Sequence, residues 1–308
     1  MEVKNVEEKQ LTLDDHKQWR DCLMKDVEEI TAYKFKNSDL LYQAFTHSSF
    51  QEDSASYERL EYIGDSVLNM LISKRHYFDY PDLAPGKLTT LRAANVDTEK
   101  LARVAIKYNL HNYLRHKKPL LKAQVEEFTE AILQYPLHSV GLIDPPKVLA
   151  DLVESLIGVI YIDSTFCMDT TWQVIKYLLQ PLITPEKLEV HPMTKLHELC
   201  QKNKLKLEFV GHQWEKTGEI EVFVDRKLVG KGKSSGKKTI AQNRAAHNAY
   251  NQVVRNLAEK VTIDDDQAAS EDALMMQDTT SDGESFDEAP GCLMLRLLGH
   301  GLYPFLCA

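Results

Sequence analysis

Apolar residues recur at helical spacing through most of the chain as far as Gln180. Residues 1–30 predict a polar leader and a short helix, with Trp19, Cys22, Leu23, Val27 and Ile30 on one face. After Tyr33-Lys-Phe35, a helix follows from Ser38, its expected N-cap, with Leu40, Leu41, Ala44 and Phe45 inward. Thr46-His-Ser-Ser49 ends it. Further helices are predicted over Ser56–Tyr77, Leu88–Asn95, Thr98–Tyr108, Ala123–Leu133, Lys147–Asp163 and Thr170–Gln180, with breaks at Pro81, Pro85-Gly86 and the loop Gln134–Pro146. No convincing strand pattern interrupts this series. Pro181, Pro185 and Pro192 frame a linker, after which the period changes. Thr194–Asn203 reads as a helix, Leu207–Trp214, Glu219–Asp225 and Lys227–Lys233 as strands, and Thr239–Leu257 as a helix packed through Ala241, Ala245, Ala246 and Ala249. Asp264–Glu288 holds ten acids and no base, a composition that predicts disorder. The last stretch, Gly291–Ala308, is apolar.

Two of the helices carry candidate chemistry. Wound at about 100° per residue, Glu58, Glu61 and Asp65 share one narrow sector of Tyr57–Met70. Leu60, Ile63, Val67, Leu68 and Leu71 cover most of the remaining surface, so the helix is expected to be buried. Carboxylates crowded into one polar window repel each other and lose solvation. No Lys or Arg of that helix falls in the sector, because Arg59 points away, so a hard divalent cation is the natural counter-charge. Lys147–Asp163 has the same character: Asp151 and Glu154 are i and i+3, Gly158 lies on their face, and apolar residues fill the others. Two such helices side by side would build a four-carboxylate metal site.

Charge changes the picture again. The net charge of −9 is unevenly spread: His191–Leu257 carries thirteen bases against six acids, a balance of +7, leaving −16 elsewhere. A basic module on an acidic body suggests a polyanionic partner. Five scattered cysteines without a C-x-x-C pair argue against structural zinc and for a reducing compartment, nucleus or cytosol. The N-terminus reads as neither a secretory signal nor a transit peptide, and no run of eighteen apolar residues exists, so no membrane span is expected. Nothing in the sequence calls for a small-molecule cofactor.

At this point the residues carry a resemblance. ERLEYIGDSVL (Glu58–Leu68) resembles the signature helix of the ribonuclease III family. Tyr33-Lys-Phe35, Ala44-Phe-Thr-His-Ser-Ser49, Leu91-Arg92 and Ala150–Asp163 resemble its other blocks, in the same order. The similarity covers residues 24–164. Residues 191–257 resemble a double-stranded RNA-binding domain, and the combination is similar to plant ribonuclease three-like proteins. The resemblance implies an all-α ribonuclease III domain followed by a small α+β (α-β-β-β-α) RNA-binding domain. It divides the chain into a polar leader (1–23), the nuclease domain (24–164), a helix and linker (165–190), the RNA-binding domain (191–257) and an acidic tail (258–308).

The resemblance also implies an activity: metal-dependent endonucleolytic cleavage of double-stranded RNA by a homodimer. Products would carry 5′-phosphates and short 3′ overhangs, as in precursor-rRNA or small-RNA processing. The family's metal-binding carboxylates fall on Glu61, Asp65, Asp151 and Glu154, with Mg²⁺, or Mn²⁺ in its place, as the ion and with Asp65 and Glu154 as catalytic. Glu58 matches a further acidic position, and Tyr62 an aromatic that contacts the partner subunit. In the second domain, Thr194 and Glu198 are the expected 2′-OH face, and Lys231, Lys233, Lys237 and Lys238 the phosphate contacts. Thr239 and Gln242 replace two lysines usual there, and the Glu215–Glu219 loop lacks the family's Gly-Pro-x-His pattern. Binding by this domain alone should therefore be weak and salt-dependent. His47 reads as a structural histidine, and His111, His116, Lys117 and Lys118 as surface charge that could touch RNA.

Overall fold

The computed structural model describes residues 13–50 and 55–277. It forms two compact units, Met1–Val254 and Arg255–Ala308. The first unit holds both the helical region and the sheet.

The helical region comprises α1 (Leu13–Thr31), α2 (Ser38–Ala44), α3 (Glu58–Asp79), α4 (Pro85–Val96), α5 (Thr98–Lys107), α6 (Leu121–Ala131), α7 (Lys147–Asp163) and α8 (Met168–Leu178). α7 is its axis. Val148–Val153 and Ser155–Ile160 are buried along it, as expected of a helix apolar nearly all round. α2, α3, α5 and α8 pack around it. Its far end is tied down by Asp163, which accepts from the Tyr33 hydroxyl at 2.8 Å and from the backbone N–H of Lys36 and Asn37 at 3.0 and 2.8 Å.

α3 and α7 approach through glycines. A Cβ on Gly64 would stand 1.8 Å from the Glu154 carbonyl oxygen, and one on Gly158 would stand 2.2 Å from that of Leu60. Backbone therefore lies on backbone at this crossing, which only residues without a side chain allow.

The loop before α7 is folded by a buried polar network. Glu99 accepts from Arg103 Nη2 at 2.8 Å, from the Ser139 N–H at 2.8 Å and from the Ser139 hydroxyl at 2.5 Å. Ser139 Oγ in turn accepts from the N–H groups of Leu142 and Ile143 at 3.1 and 3.2 Å. These bonds satisfy backbone donors that the buried loop would otherwise strand.

The second region is α9 (Pro192–Lys202), β1 (Leu207–Val210), the short α10 (Trp214–Thr217), β2 (Glu219–Val224), β3 (Lys227–Lys233) and α11 (Lys238–Gln277). The sheet is antiparallel in the order β1-β2-β3. Ile220, Val222 and Val224 alternate inward, and Leu196 and Cys200 of α9 and Ile240, Ala241, Ala245, Ala246 and Ala249 of α11 are buried with them.

Several expectations are corrected. The N-cap of α2 is Asn37, whose side chain accepts from the Asp39 N–H, and Ser38 is already helical. Pro85 opens α4 at its first turn, where its missing N–H costs nothing, instead of marking a break. β1 stops at Val210, and Trp214–Thr217 turns helical before Gly218 at φ +64°. α11 continues to Gln277, into the acidic stretch read as disordered from Asp264, because an established helix extends more easily than it starts. The remainder of that stretch, the apolar end 291–308 and leader residues 1–12 lie outside the described residues. Among those described, no helix is long and apolar enough to cross a membrane.

Gly64→Ala should destabilise the protein by about 3 kcal/mol or more, because the added methyl meets backbone that has no room to yield. Chemical denaturation checks this; a loss under about 0.5 kcal/mol, the scale of a surface substitution, would mean the crossing is looser than described.

Candidate active site

The α3–α7 crossing brings three acids together. One carboxylate oxygen each of Glu61, Asp151 and Glu154 lies within 4.8 Å of the others. Asp151 is buried, and Glu61 and Glu154 are half-buried. Burial, joined by the charges of Asp65, Asp151 and Glu61, pushes the Glu154 carboxyl up to about 8. Burial also raises Asp151, although Lys147 opposes it.

The fourth expected ligand stands apart. Asp65 is exposed, one turn further along α3, and its Oδ1 accepts from Asn69 Nδ2 at 2.8 Å. Its charge still reaches Glu154. Glu58 has turned away to the hydroxyl of Ser56. Burial would raise its carboxyl, but bonds from Ser48 and Ser56 outweigh that and hold it below the usual range.

A base does reach the acidic window from the other helix: Lys147 of α7. Its Nζ lies 2.9 Å from Glu61 Oε1 and also bonds Asp151 Oδ1. Lys147 is on α7, four residues before Asp151 and on its face, and so carries no signal in the sequence of α3. Burial would lower its ammonium, but the two carboxylates outweigh this and raise it. One exposed lysine against three clustered acids leaves the site short of positive charge. Hard oxygen donors at this spacing suit a divalent cation, and the residues present fit one.

His47 is structural in this arrangement: Nδ1 accepts from the Ser49 N–H at 2.8 Å and the ring meets Tyr57 edge-on. His116 Nδ1 likewise accepts from the Lys118 N–H, and His111 faces the Ala105 carbonyl. Tyr62 is 76% exposed on α3, a large ring left in solvent.

The expected RNA contacts divide. Lys233 and Lys238 are exposed. Lys231 is paired with Glu219 and Glu221 at 3.1 and 2.6 Å across the sheet. Lys237 pairs with Asp144 at 2.8 Å. Thr194 and Glu198 line a cavity of about 520 Å³ together with Lys87 and Thr90 of α4. α11 also bonds the loop before α7: Asn243 Nδ2 donates to the Gly141 carbonyl at 2.8 Å and Arg244 Nε to that of Leu142 at 2.7 Å. Lys118, Lys147, Lys237 and Arg244 line a neighbouring cleft of about 310 Å³. The positions of Lys147 and Lys237 bring the acidic site and the second module to one groove.

The pattern of the Ribonuclease III domain matches residues 58–165, and that of the double-stranded RNA binding motif matches residues 192–253. Over 239 residues the chain is 47% identical to Ribonuclease 3-like protein 3 of rice, covering 77% of this chain and 80% of that one. The chain belongs to the ribonuclease III family. This ribonuclease III is also 42% identical to the rice Ribonuclease 3-like protein 2, over 72% of each chain. It is 41% identical to the rice Endoribonuclease Dicer homolog 1, of which it spans only 13%. The enzyme is a ribonuclease III-type endoribonuclease with a helical nuclease domain and a three-stranded RNA-binding domain.

The raised Glu154 carboxyl makes stability depend on pH. Its folded value, about 8, exceeds the ordinary 4.5, so between these values the folded protein holds a proton that the unfolded chain has released. Stability present below pH 4.5 is therefore lost as pH rises towards 8, by up to about 1.4 kcal/mol per unit. In EDTA, Glu154→Gln should melt above wild type at pH 8 and alike at pH 4.5; an equal difference at both values would contradict the assignment.

Proposed function

We propose that this ribonuclease III cleaves double-stranded RNA in a metal-dependent reaction, as a homodimer, leaving 5′-phosphates and short 3′ overhangs. The observation that carries the reading is the cluster of Glu61, Asp151 and Glu154, three carboxylates within 4.8 Å of one another on two packed helices. Mg²⁺ is the ion proposed, with Mn²⁺ able to replace it. When bound, the ion supplies Lewis-acid stabilisation of phosphoryl charge and a water acidic enough to attack at neutral pH.

The chain's own residues do the rest. Glu61, Asp151 and Glu154 would hold the ion, with Asp65 adding charge from the next turn. Glu154, raised by burial and by its acidic neighbours, would have to be ionised to serve as a ligand. Lys147, two-thirds exposed at the mouth of the cluster, offers its ammonium to an incoming phosphodiester. The Tyr62 ring, largely exposed among the described residues, suits burial against a second subunit. Lys233 and Lys238 would meet phosphates, and the Thr194–Glu198 face of α9 the 2′-hydroxyls. Precursor rRNAs and small-RNA precursors are the substrates this chemistry suits, in the nucleus or cytosol. Cys22, Cys167 and Cys200 are free thiols, in keeping with a reducing compartment.

A long end-labelled duplex should be cut into discrete fragments in Mg²⁺ and left whole in EDTA, and Glu154→Gln should lower the rate by about 100-fold or more while RNA binding persists. Tight duplex binding without cutting in either Mg²⁺ or Mn²⁺ would overturn the reading.

Lys238→Ala should weaken duplex binding uniformly and reduce its salt slope by about one. Lys231→Ala should change it little, because that ammonium is already neutralised by Glu219 and Glu221. Equal losses in the two variants, measured by titration across salt, would refute this division.

A further inference from the structure

Tyr57, at the entry to α3, is used by nothing described so far. It is 2% exposed, and its hydroxyl lies 3.4 Å from Asp151 Oδ2. Packing fixes that hydroxyl. The Tyr57 N–H donates to the Thr46 carbonyl at 2.9 Å, and the ring meets His47 edge-on with centroids 5.4 Å apart. The Tyr57 carbonyl accepts from the N–H groups of Leu60 and Glu61, each at 2.8 Å. One residue therefore begins the turn that carries Glu61 and lies against Asp151.

The two oxygens of Asp151 face different partners. Oδ1 bonds Lys147 Nζ, which also bonds Glu61 Oε1, so Oδ1 is the oxygen on the side of Asp151 that shares a lysine with Glu61. Oδ2 faces Tyr57. A carboxylate this buried has little water to orient it, and its rotation decides which oxygen the site sees. A phenol O–H on Oδ2 would set that rotation. At 3.4 Å the contact is long for an O–H···O bond, a length at which catalytic-site hydrogen bonds are often found in unliganded proteins.

We propose that Tyr57 is a positioning residue for the active site: its hydroxyl holds Asp151 so that Oδ1 is presented to a divalent cation. The inference rests on the metal reading above. It differs from a packing role in one respect. Phenylalanine keeps the ring, its burial and its edge-on contact with His47, and removes only the O–H. If the ring alone matters, Tyr57→Phe is silent.

The test is Mn²⁺ binding by the full chain without RNA, followed by calorimetry and by the electron paramagnetic resonance of free Mn²⁺. Wild type, Tyr57→Phe, Asp151→Asn and the double variant are compared. Removing a partner of a metal ligand costs about tenfold or more in affinity, so Tyr57→Phe should bind Mn²⁺ about tenfold more weakly. The Mg²⁺ concentration for half-maximal cleavage should rise in step, with the KM for duplex unchanged. In the Asp151→Asn background the second substitution should cost nothing further, because Tyr57 acts through Asp151. Wild-type Mn²⁺ affinity in Tyr57→Phe overturns the proposal, and so does an equal loss with and without Asp151. A wild type that binds no Mn²⁺ would fail the metal reading itself, an outcome distinct from a defect confined to Tyr57.

Discussion

The backbone crossing of α3 on α7 governs the rest of the nuclease domain. Gly64 and Gly158 remove the side chains that would hold the helices apart, and the main chains close to a distance no Cβ tolerates. Carboxylates one or two turns away are thereby brought together: Glu61 on one helix, Asp151 and Glu154 on the other. The same closeness buries them, which raises the cost of their charge. Packing that stabilises the core and electrostatics that strain the site are one geometric fact. The apolar lining of α7, continuous except for its acids, is what resists that strain.

The electrostatic debt is met in part within the chain. Lys147 spans Glu61 and Asp151, while Glu154 is left nearer Asp65 and carries the largest upward shift in the cluster. A lysine at the mouth and a protonated glutamic acid inside form a resting arrangement that a divalent cation can replace. For Glu61, Asp151 and Glu154 to hold a cation, Glu154 would have to lose its proton and Lys147 would have to release Glu61 and Asp151. Loading the site thus changes the charge it shows to RNA, a coupling expected where ligands must ionise to bind.

Much of this was legible in the sequence, for identifiable reasons. The acidic helices were visible because polar residues at i and i+3 stand out against a surface otherwise apolar, and period 3.6 gave way to period 2 from Leu207, after one more helix. What escaped depends on side chains choosing among neighbours. Asp65 shares its helical sector with Glu61, yet Asn69 at i+4 holds it outside the cluster. Glu58 shares that sector too, yet the hydroxyls of Ser48 and Ser56 turn it away. Lys147 lies four residues from Asp151 on one face of α7, so its reach to Glu61 depends on how the two helices cross and not on the pattern of either alone. Tyr57 carries no periodic signal, because its partner lies ninety-four residues away. Asn37 replaced Ser38 as a cap because both are good caps and the turn fixed by Asp163 selects between them.

The RNA-binding domain poses the same problem at larger scale. Its lysines were identified as phosphate contacts by their place in the α-β-β-β-α frame, but their partners within the fold decide which are available. Lys231 is consumed by the sheet and Lys237 by Asp144, whereas Lys233 and Lys238 face solvent. Asp144 belongs to the loop that Ser139 and Glu99 brace from within and that runs three residues later into Lys147. Asn243 and Arg244 grip the carbonyls of that same loop. A duplex drawing Lys237 away from Asp144 would pull on a segment clamped at both ends, one end being the first turn of α7. Through Ser139, Glu99 ties down the backbone of Leu142 and Ile143, a few residues before the turn of α7 that carries Lys147 and Asp151, so the strain of such a pull would be met before it reached the acidic cluster.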